Sequence, residues 1–246
     1  MIRAVLLIAL LTQAMAAQQL SFVACPIVRD TKTVPCWLAE YEGELYYLGV
    51  QEDQEASTSL PQQSHEVLVE GTVQPGPRVC GGIPLSALSL SVMPELTRSC
   101  NTVLPAKDQI EAPAGNLRDA GTTQAVEAAP STPDQPREFT VAFDFDSDRM
   151  SVRGTETVAR AVAWASSTHA SSLRITAWRG AALLSDGRAI AENEFVAGRR
   201  ASKISSILKG LGIVATTLDI RVENAPVKPD GVTDPANRRV VISVQP

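Results

Sequence analysis

Residues 139–146 read FTVAFDFD, and this alternation sets the fold of the second half of the chain. Phe139, Val141, Phe143 and Phe145 fall on one side of an extended backbone, and Thr140, Ala142, Asp144 and Asp146 fall on the other, the period-two pattern of a strand with one buried face. Downstream, Gly154 to Thr168 carries Val158, Ala161, Val162 and Ala165 at helical spacing. Leu173 to Trp178 predicts a second strand. Ile190 to Leu211 predicts a longer helix, with Ala201, Ile204, Leu208 and Leu211 on one face and Gly210 and Gly212 near its end. Leu218, Ile220 and Val222 alternate in a third strand, and Arg239 to Val244 forms a fourth. The order β-α-β-α-β-β predicts an α+β domain over 138–246. Two helices cover one face of a mixed sheet, with right-handed crossovers where strands run parallel.

Upstream of this domain the composition changes. Residues 104–137 are rich in Ala, Pro, Thr, Gln and Glu, with Pro105, Pro113, Pro130, Pro133 and Pro136 and no apolar periodicity. That is linker chemistry, and a flexible coil of this length spans roughly 30 Å. Residues 17–103 read as a small β-rich domain. Trp37 to Tyr41 runs through the acidic turn Glu42-Gly43-Glu44 into Leu45 to Val50, and His65 to Val73 and Leu85 to Met93 both alternate apolar with polar. Short strands divided by Pro and Gly turns suggest a small barrel or sandwich, and Val67 to Val73 with Cys80-Gly81-Gly82 resembles OB-type barrels. The cluster Trp37, Tyr41, Tyr46 and Tyr47 is expected in its core.

Residues 1–16 have the form of a signal peptide. Arg3 precedes an apolar run from Ala4 to Leu11, and Ala14-Met15-Ala16 offers a cleavage site. The run is too short to span a bilayer, and no later segment is long and apolar enough to cross one. In an exported chain the four cysteines, Cys25, Cys36, Cys80 and Cys100, predict two disulfides. Four cysteines allow three connectivities. Pairing within each local group, Cys25 with Cys36 and Cys80 with Cys100, is the expectation, each worth about 3 kcal/mol.

Charge divides unevenly. Residues 17–103 hold four basic and ten acidic side chains, net −6, whereas residues 138–246 hold fourteen basic and twelve acidic, net +2. Neither half has the dense basic patch of a nucleic-acid binder. No P-loop, dinucleotide fingerprint, nucleophile elbow or HExxH occurs, so no enzymatic activity and no cofactor are expected. His65 and His169 fit no zinc spacing. Asp144, Asp146 and Asp148 alternate along a strand into a turn, without the glycine a calcium loop needs, and no metal site is expected there.

Three segments of the second domain resemble the OmpA-like peptidoglycan-associating family. FDFDSDRM (Phe143 to Met150) is similar to its opening F-x-F-D-S strand. NEFVAGRRA (Asn193 to Ala201) resembles its N-x-x-L-S-x-x-R-A helix, with Val196-Ala197 in place of Leu-Ser. NRRVVI (Asn237 to Ile242) looks like its closing strand. The resemblance covers 138–246 and none of the front domain. It implies non-covalent binding of the diaminopimelate branch of the peptidoglycan stem peptide. The matching arginine, Arg200, would grip a carboxylate with two parallel hydrogen bonds, while Asn193, Asn237 and Arg238 shape the pocket. The alternative for Arg200 is a helix-surface arginine paired with Glu192 or Glu194.

The sequence also departs from the family. Where the family carries G-H-T-D after the second strand, this chain reads Ala177-Trp178-Arg179-Gly180, so the ammonium-accepting aspartate is missing. The following turn is five residues longer. Asp186, inside the extension, is the candidate replacement, or else a turn or cap residue before a helix starting near Arg188 or Ala189. Without a partner, the ligand ammonium loses a charge-assisted bond of about 1.5–3 kcal/mol.

The expectation is a periplasmic protein of Gram-negative type, associated with the cell wall or outer membrane. In it the OmpA-like domain holds the wall while the front domain reaches an envelope protein partner. The second reading is an OmpA-like fold with a decayed pocket that serves protein–protein interaction.

Overall fold

The computed structural model describes residues 18–50, 60–106, 135–213 and 217–246. The expected signal peptide and most of the expected linker lie outside the described residues.

The front domain is built on one seven-stranded sheet, comprising β1 (Gln19–Ala24), β2 (Pro26–Arg29), β3 (Cys36–Tyr41), β4 (Glu44–Val50), β5 (His65–Val73), β6 (Ile83–Leu96) and β7 (Val103–Leu104) in the order β1-β5-β6-β4-β3-β2-β7. β1 also approaches β3, so the sheet curls around its own core. The hairpin between β3 and β4 turns on Glu42 and Gly43, both at positive φ, the geometry that matches strand twist in a two-residue turn. Leu20, Phe22, Trp37, Tyr46, Val67, Val69 and Leu90 fill the core, with Tyr41 half-buried and its ring stacked on Phe22.

The disulfides join Cys25 to Cys100 and Cys36 to Cys80, with Cα separations of 4.8 and 6.5 Å. The local pairing expected from sequence fails because β2 runs antiparallel to β3 with Pro26 opposite Ala39 and Arg29 opposite Cys36. Cys25 therefore lies at the far end of β3 from Cys36, well beyond the reach of a disulfide.

The second domain is α+β, as its periodicity predicts. β8 (Arg137–Ala142), β9 (Ser172–Trp178), β12 (Leu218–Glu223) and β13 (Arg239–Gln245) make a four-stranded sheet in the order β12-β9-β13-β8. β12 is parallel to β9, and β13 is antiparallel to β8 and β9. α1 (Val152–Ser167) starts at Ser151, whose Oγ accepts a bond from the Gly154 amide. α2 (Val196–Gly210) ends at Leu211. Gly212 sits at φ +82°, and the Ile213 amide reaches back to the Leu208 carbonyl, a glycine-dependent stop. Val158, Ala161, Ala201, Ile204 and Leu208 pack on Phe139, Val141, Ile175 and Ile242.

The long helix expected from Ile190 begins six residues later. Instead β10 (Ala181–Leu183) and β11 (Ala189–Ala191) form a hairpin that turns at Gly187, φ +85°. Ala189-Ile190-Ala191 scores well as helix, but Ile190 is drawn into an apolar cluster that only tertiary contact supplies. The short helix α3 (Asp234–Asn237) precedes β13.

The two domains meet. Leu68 of the front domain is buried with Phe145, Ala182 and Leu184 of the second, flanked by Val23, Met93 and Ile190. The Ser185 amide donates to the Ser21 carbonyl (2.7 Å), the Ser21 amide to Ser185 Oγ (2.9 Å), and the Phe145 amide to Ser91 Oγ (2.7 Å). Strand β5 explains the fit. Val67 and Val69 face the front core while Leu68 and Glu70 face the second domain, so five consecutive residues from Val67 to Gly71 are buried. The half-buried strand of the sequence reading is buried on both sides because a second domain covers its polar face.

Candidate functional site

Arg200 stands one turn into α2, at the position the resemblance marks for carboxylate binding, and its side chain is 0 % exposed. All five of its N–H donors have acceptors. Nη1 donates to Glu192 Oε2 (2.9 Å) and Nη2 to Glu192 Oε1 (2.6 Å), a two-bond fork. Nε donates to the Ser147 carbonyl (2.8 Å), Nη2 also to that of Asp144 (2.9 Å), and Nη1 weakly to that of Trp178 (3.4 Å). The guanidinium lies over the Phe143 ring, 5.0 Å from its centroid.

Glu192, also 0 % exposed, is satisfied as completely. Besides the two arginine bonds, Oε2 accepts from the Gly180 amide (2.6 Å) and Oε1 from the Asp146 amide (2.8 Å). Four donors thus converge on one carboxylate, filling the four acceptor sites that group offers. The β10–β11 extension is what brings Glu192 here, one residue past β11. Chemically the arrangement is a guanidinium fork and two backbone amides enclosing one carboxylate of the same chain.

The other sequence candidates divide. Asn193 shapes the rim: its amide donates to Asp146 Oδ1 (2.9 Å) and its Oδ1 accepts from the Phe195 amide (3.0 Å), fixing the entry to α2. Burial pushes the Asp146 carboxyl up from its usual range. Asp186 does not join Arg200. It sits exposed at the hairpin turn, where its carboxylate takes the Arg188 amide (2.9 Å) and guanidinium (2.7 Å), which hold its pKa below the ordinary value. It is a turn residue, and no helix starts beside it. Asn237 closes α3, its Oδ1 accepting from Arg239 Nη1 (3.1 Å). Arg239 lies over the Trp178 ring at 4.8 Å, so this tryptophan is held by a cation rather than open to a ligand on that face.

Arg238 is fully buried and pairs with Glu70 of the front domain. Burial pushes the Glu70 carboxyl up, against the lowering pull of Arg238. Among the described residues, Arg238 Nε and Nη1 find no acceptor. The two buried pairs adjoin: a Cβ on Gly180 would meet Arg238 Cγ at 2.5 Å and Glu192 Oε2 at 3.2 Å. Glu70 escaped the sequence reading because nothing in a strand's own alternation shows that its polar face meets another domain. Glu192 appeared there only as one of two surface partners for Arg200. Among the described residues there is no group of three or more His, Cys, Asp or Glu side chains placed to hold a metal, and no helix is long and apolar enough to cross a membrane.

No family profile and no characterised protein matches the chain by sequence. Among solved structures it is similar to the OmpA-like domain of FopA1 from Francisella tularensis subsp. tularensis SCHU S4, at 18 % identity and TM-score 0.36, over 45 % of this chain and 73 % of that one. It is similar to a putative MotB like protein from Desulfovibrio vulgaris at 17 % identity and TM-score 0.35, over 45 % of this chain and 75 % of that one. The cell wall anchor of the T6SS from Pseudomonas aeruginosa aligns at 16 % identity and TM-score 0.31, over 45 % and 81 % of the two chains.

Proposed function

We propose that this chain is a cell-envelope protein whose second domain is a latent wall anchor, a carboxylate receptor kept closed by its own Glu192. One observation carries this reading. The Arg200 fork and the Gly180 and Asp146 amides are aimed at a single carboxylate, and that carboxylate comes from the chain itself. A buried carboxylate needs all its acceptor sites filled, and the same four donors would serve the carboxylate of a ligand. The motifs of 143–150, 193–201 and 237–242 point to the diaminopimelate carboxylate of peptidoglycan as that ligand. With Glu192 in place, wall binding through Arg200 is blocked, and the protein acts as a two-domain scaffold.

A second reading, a pocket closed for good and an OmpA-like fold kept for protein interaction, is favoured by one specific observation. The ammonium-accepting aspartate is absent, and Asp186 is paired with Arg188 at the hairpin turn. Co-sedimentation of the full chain with purified sacculi separates the two. For the latent anchor, the wild type stays in solution, Glu192→Ala pellets, and diaminopimelate competes it off. Glu192→Ala/Arg200→Met stays in solution. Failure of Glu192→Ala to pellet, with its fold intact by circular dichroism, leaves only the interaction module.

A further inference from the structure

The plug is held from behind. The β10–β11 hairpin delivers Glu192 to Arg200 on one side, and on the other Ala182, Leu184 and Ile190 pack against Leu68, Val23 and Met93 of the front domain. Ser185, at the turn of the same hairpin, exchanges two hydrogen bonds with Ser21. The neighbouring guanidinium, Arg238, has its only carboxylate partner among the described residues on the front domain, at Glu70. Among the described residues, its Nε and Nη1 are buried beside the plug without an acceptor.

From this clamped geometry we propose that docking of the front domain is the latch that keeps Glu192 in the Arg200 site. Separating the domains frees the β10–β11 hairpin and uncovers Arg200 and Arg238 together as a site for a carboxylate-bearing ligand. Glu70 and Glu192 then act as two internal competitors for that ligand. This inference rests on reading the Arg200 pocket as a carboxylate receptor.

The physical reason lies on the apolar side of the hairpin. Its own domain ties it at Leu183, whose amide donates to Asp234 Oδ2 (2.8 Å), and at Glu192, whose carbonyl accepts from Arg179 Nε (2.6 Å), while Ala182, Leu184 and Ile190 share their apolar cluster with Phe145 and with Leu68, Val23 and Met93 of the front domain. A buried arginine that loses its carboxylate favours whatever state rehydrates it. Undocking therefore removes the cover from the hairpin and the counter-charge from Arg238 in one step.

The test uses the full chain in four forms: wild type, Glu70→Lys, Leu68→Asp, and Ser21→Cys/Ser185→Cys with the new disulfide closed. Small-angle scattering reports domain separation, and hydrogen exchange reports the Gly180 and Asp146 amides that donate to Glu192. In Glu70→Lys, which sets a lysine against Arg238, the domains part and both amides exchange roughly tenfold faster or more. The cross-linked form keeps the wild-type protection, and reducing its added disulfide leaves the wild-type state unchanged. Leu68→Asp is the second separating variant. Parted domains with unchanged amide protection overturn the latch, and so does failure of both variants to part the domains. Neither result depends on sacculus binding by Glu192→Ala, so the latch can fail while the latent-anchor reading stands, and the reverse.

Discussion

Substituting Glu192 by Ala in the full chain removes the partner of a guanidinium that no solvent reaches. Breaking a buried ion pair from one side costs about 3–5 kcal/mol, because the remaining charge stays buried without compensation. The Gly180 and Asp146 amides lose their acceptor at the same time, which places the loss toward the upper end. For a chain of 150–250 residues each kcal/mol moves Tm by about 2–4 °C, so a drop of roughly 6–20 °C is expected. Thermal and urea unfolding followed by circular dichroism measure it. Two controls give the result a mechanism. Glu192→Ala/Arg200→Met, which removes both charges, recovers the part of the loss that comes from the uncompensated guanidinium, while the Gly180 and Asp146 amides remain without their acceptor. Acetate, compared with chloride at equal ionic strength, raises the Tm of Glu192→Ala and not that of the double variant, by binding the vacated donors in the folded state. A loss below about 1 kcal/mol in Glu192→Ala would place the pair among solvent-exposed bridges and refute the buried receptor.

Four further outcomes follow from the same structure. Asp230 accepts bonds from the Thr233 amide, the Val232 amide and Thr233 Oγ1, which hold its carboxyl at about 2 against an ordinary 3.8. A depressed acid stabilises the fold above its unfolded pKa and loses that contribution as pH falls through the folded one. The Tm gap between wild type and Asp230→Ala is therefore full at neutral pH and closes between pH 3.8 and about 2. Non-reducing peptide mass spectrometry recovers Cys25 linked to Cys100 and Cys36 linked to Cys80. Replacing the second pair by alanines, which opens a loop with a sequence separation of 44, costs about 4 kcal/mol in denaturant unfolding. Gly180→Ala forces a methyl against the Arg238 side chain at 2.5 Å and lowers stability by about 1–3 kcal/mol, whereas Gly198→Ala, with open space around it, does not.

The sequence by itself determined the elements whose signals are local. The strand alternation of Phe139 to Asp146, whose strand ends at Ala142 while Phe143 and Phe145 stay buried, that of Leu173 to Trp178 and of Arg239 to Val244, the Gly212 stop after α2 and the Glu42-Gly43 hairpin all depend on neighbours within a few residues. The order of the four sheet strands and the two long helices in the second domain came from the same level, without the β10–β11 hairpin or α3, and Arg200 was singled out by the resemblance of the Asn193 to Ala201 motif. The tertiary structure decided the pairings between residues far apart in the chain. Alternation along β2 and β3 does not reveal that Cys25 ends up remote from Cys36, because register is set by the whole sheet. Ile190 became a strand residue because Leu68, distant in sequence, covers it. The largest difference concerns charge. An exposed arginine and a buried, fully paired one look alike in sequence, because burial is a property of what packs above the side chain. Only the fold shows that Arg200 faces Glu192, and that Arg238 meets an acid from the other domain.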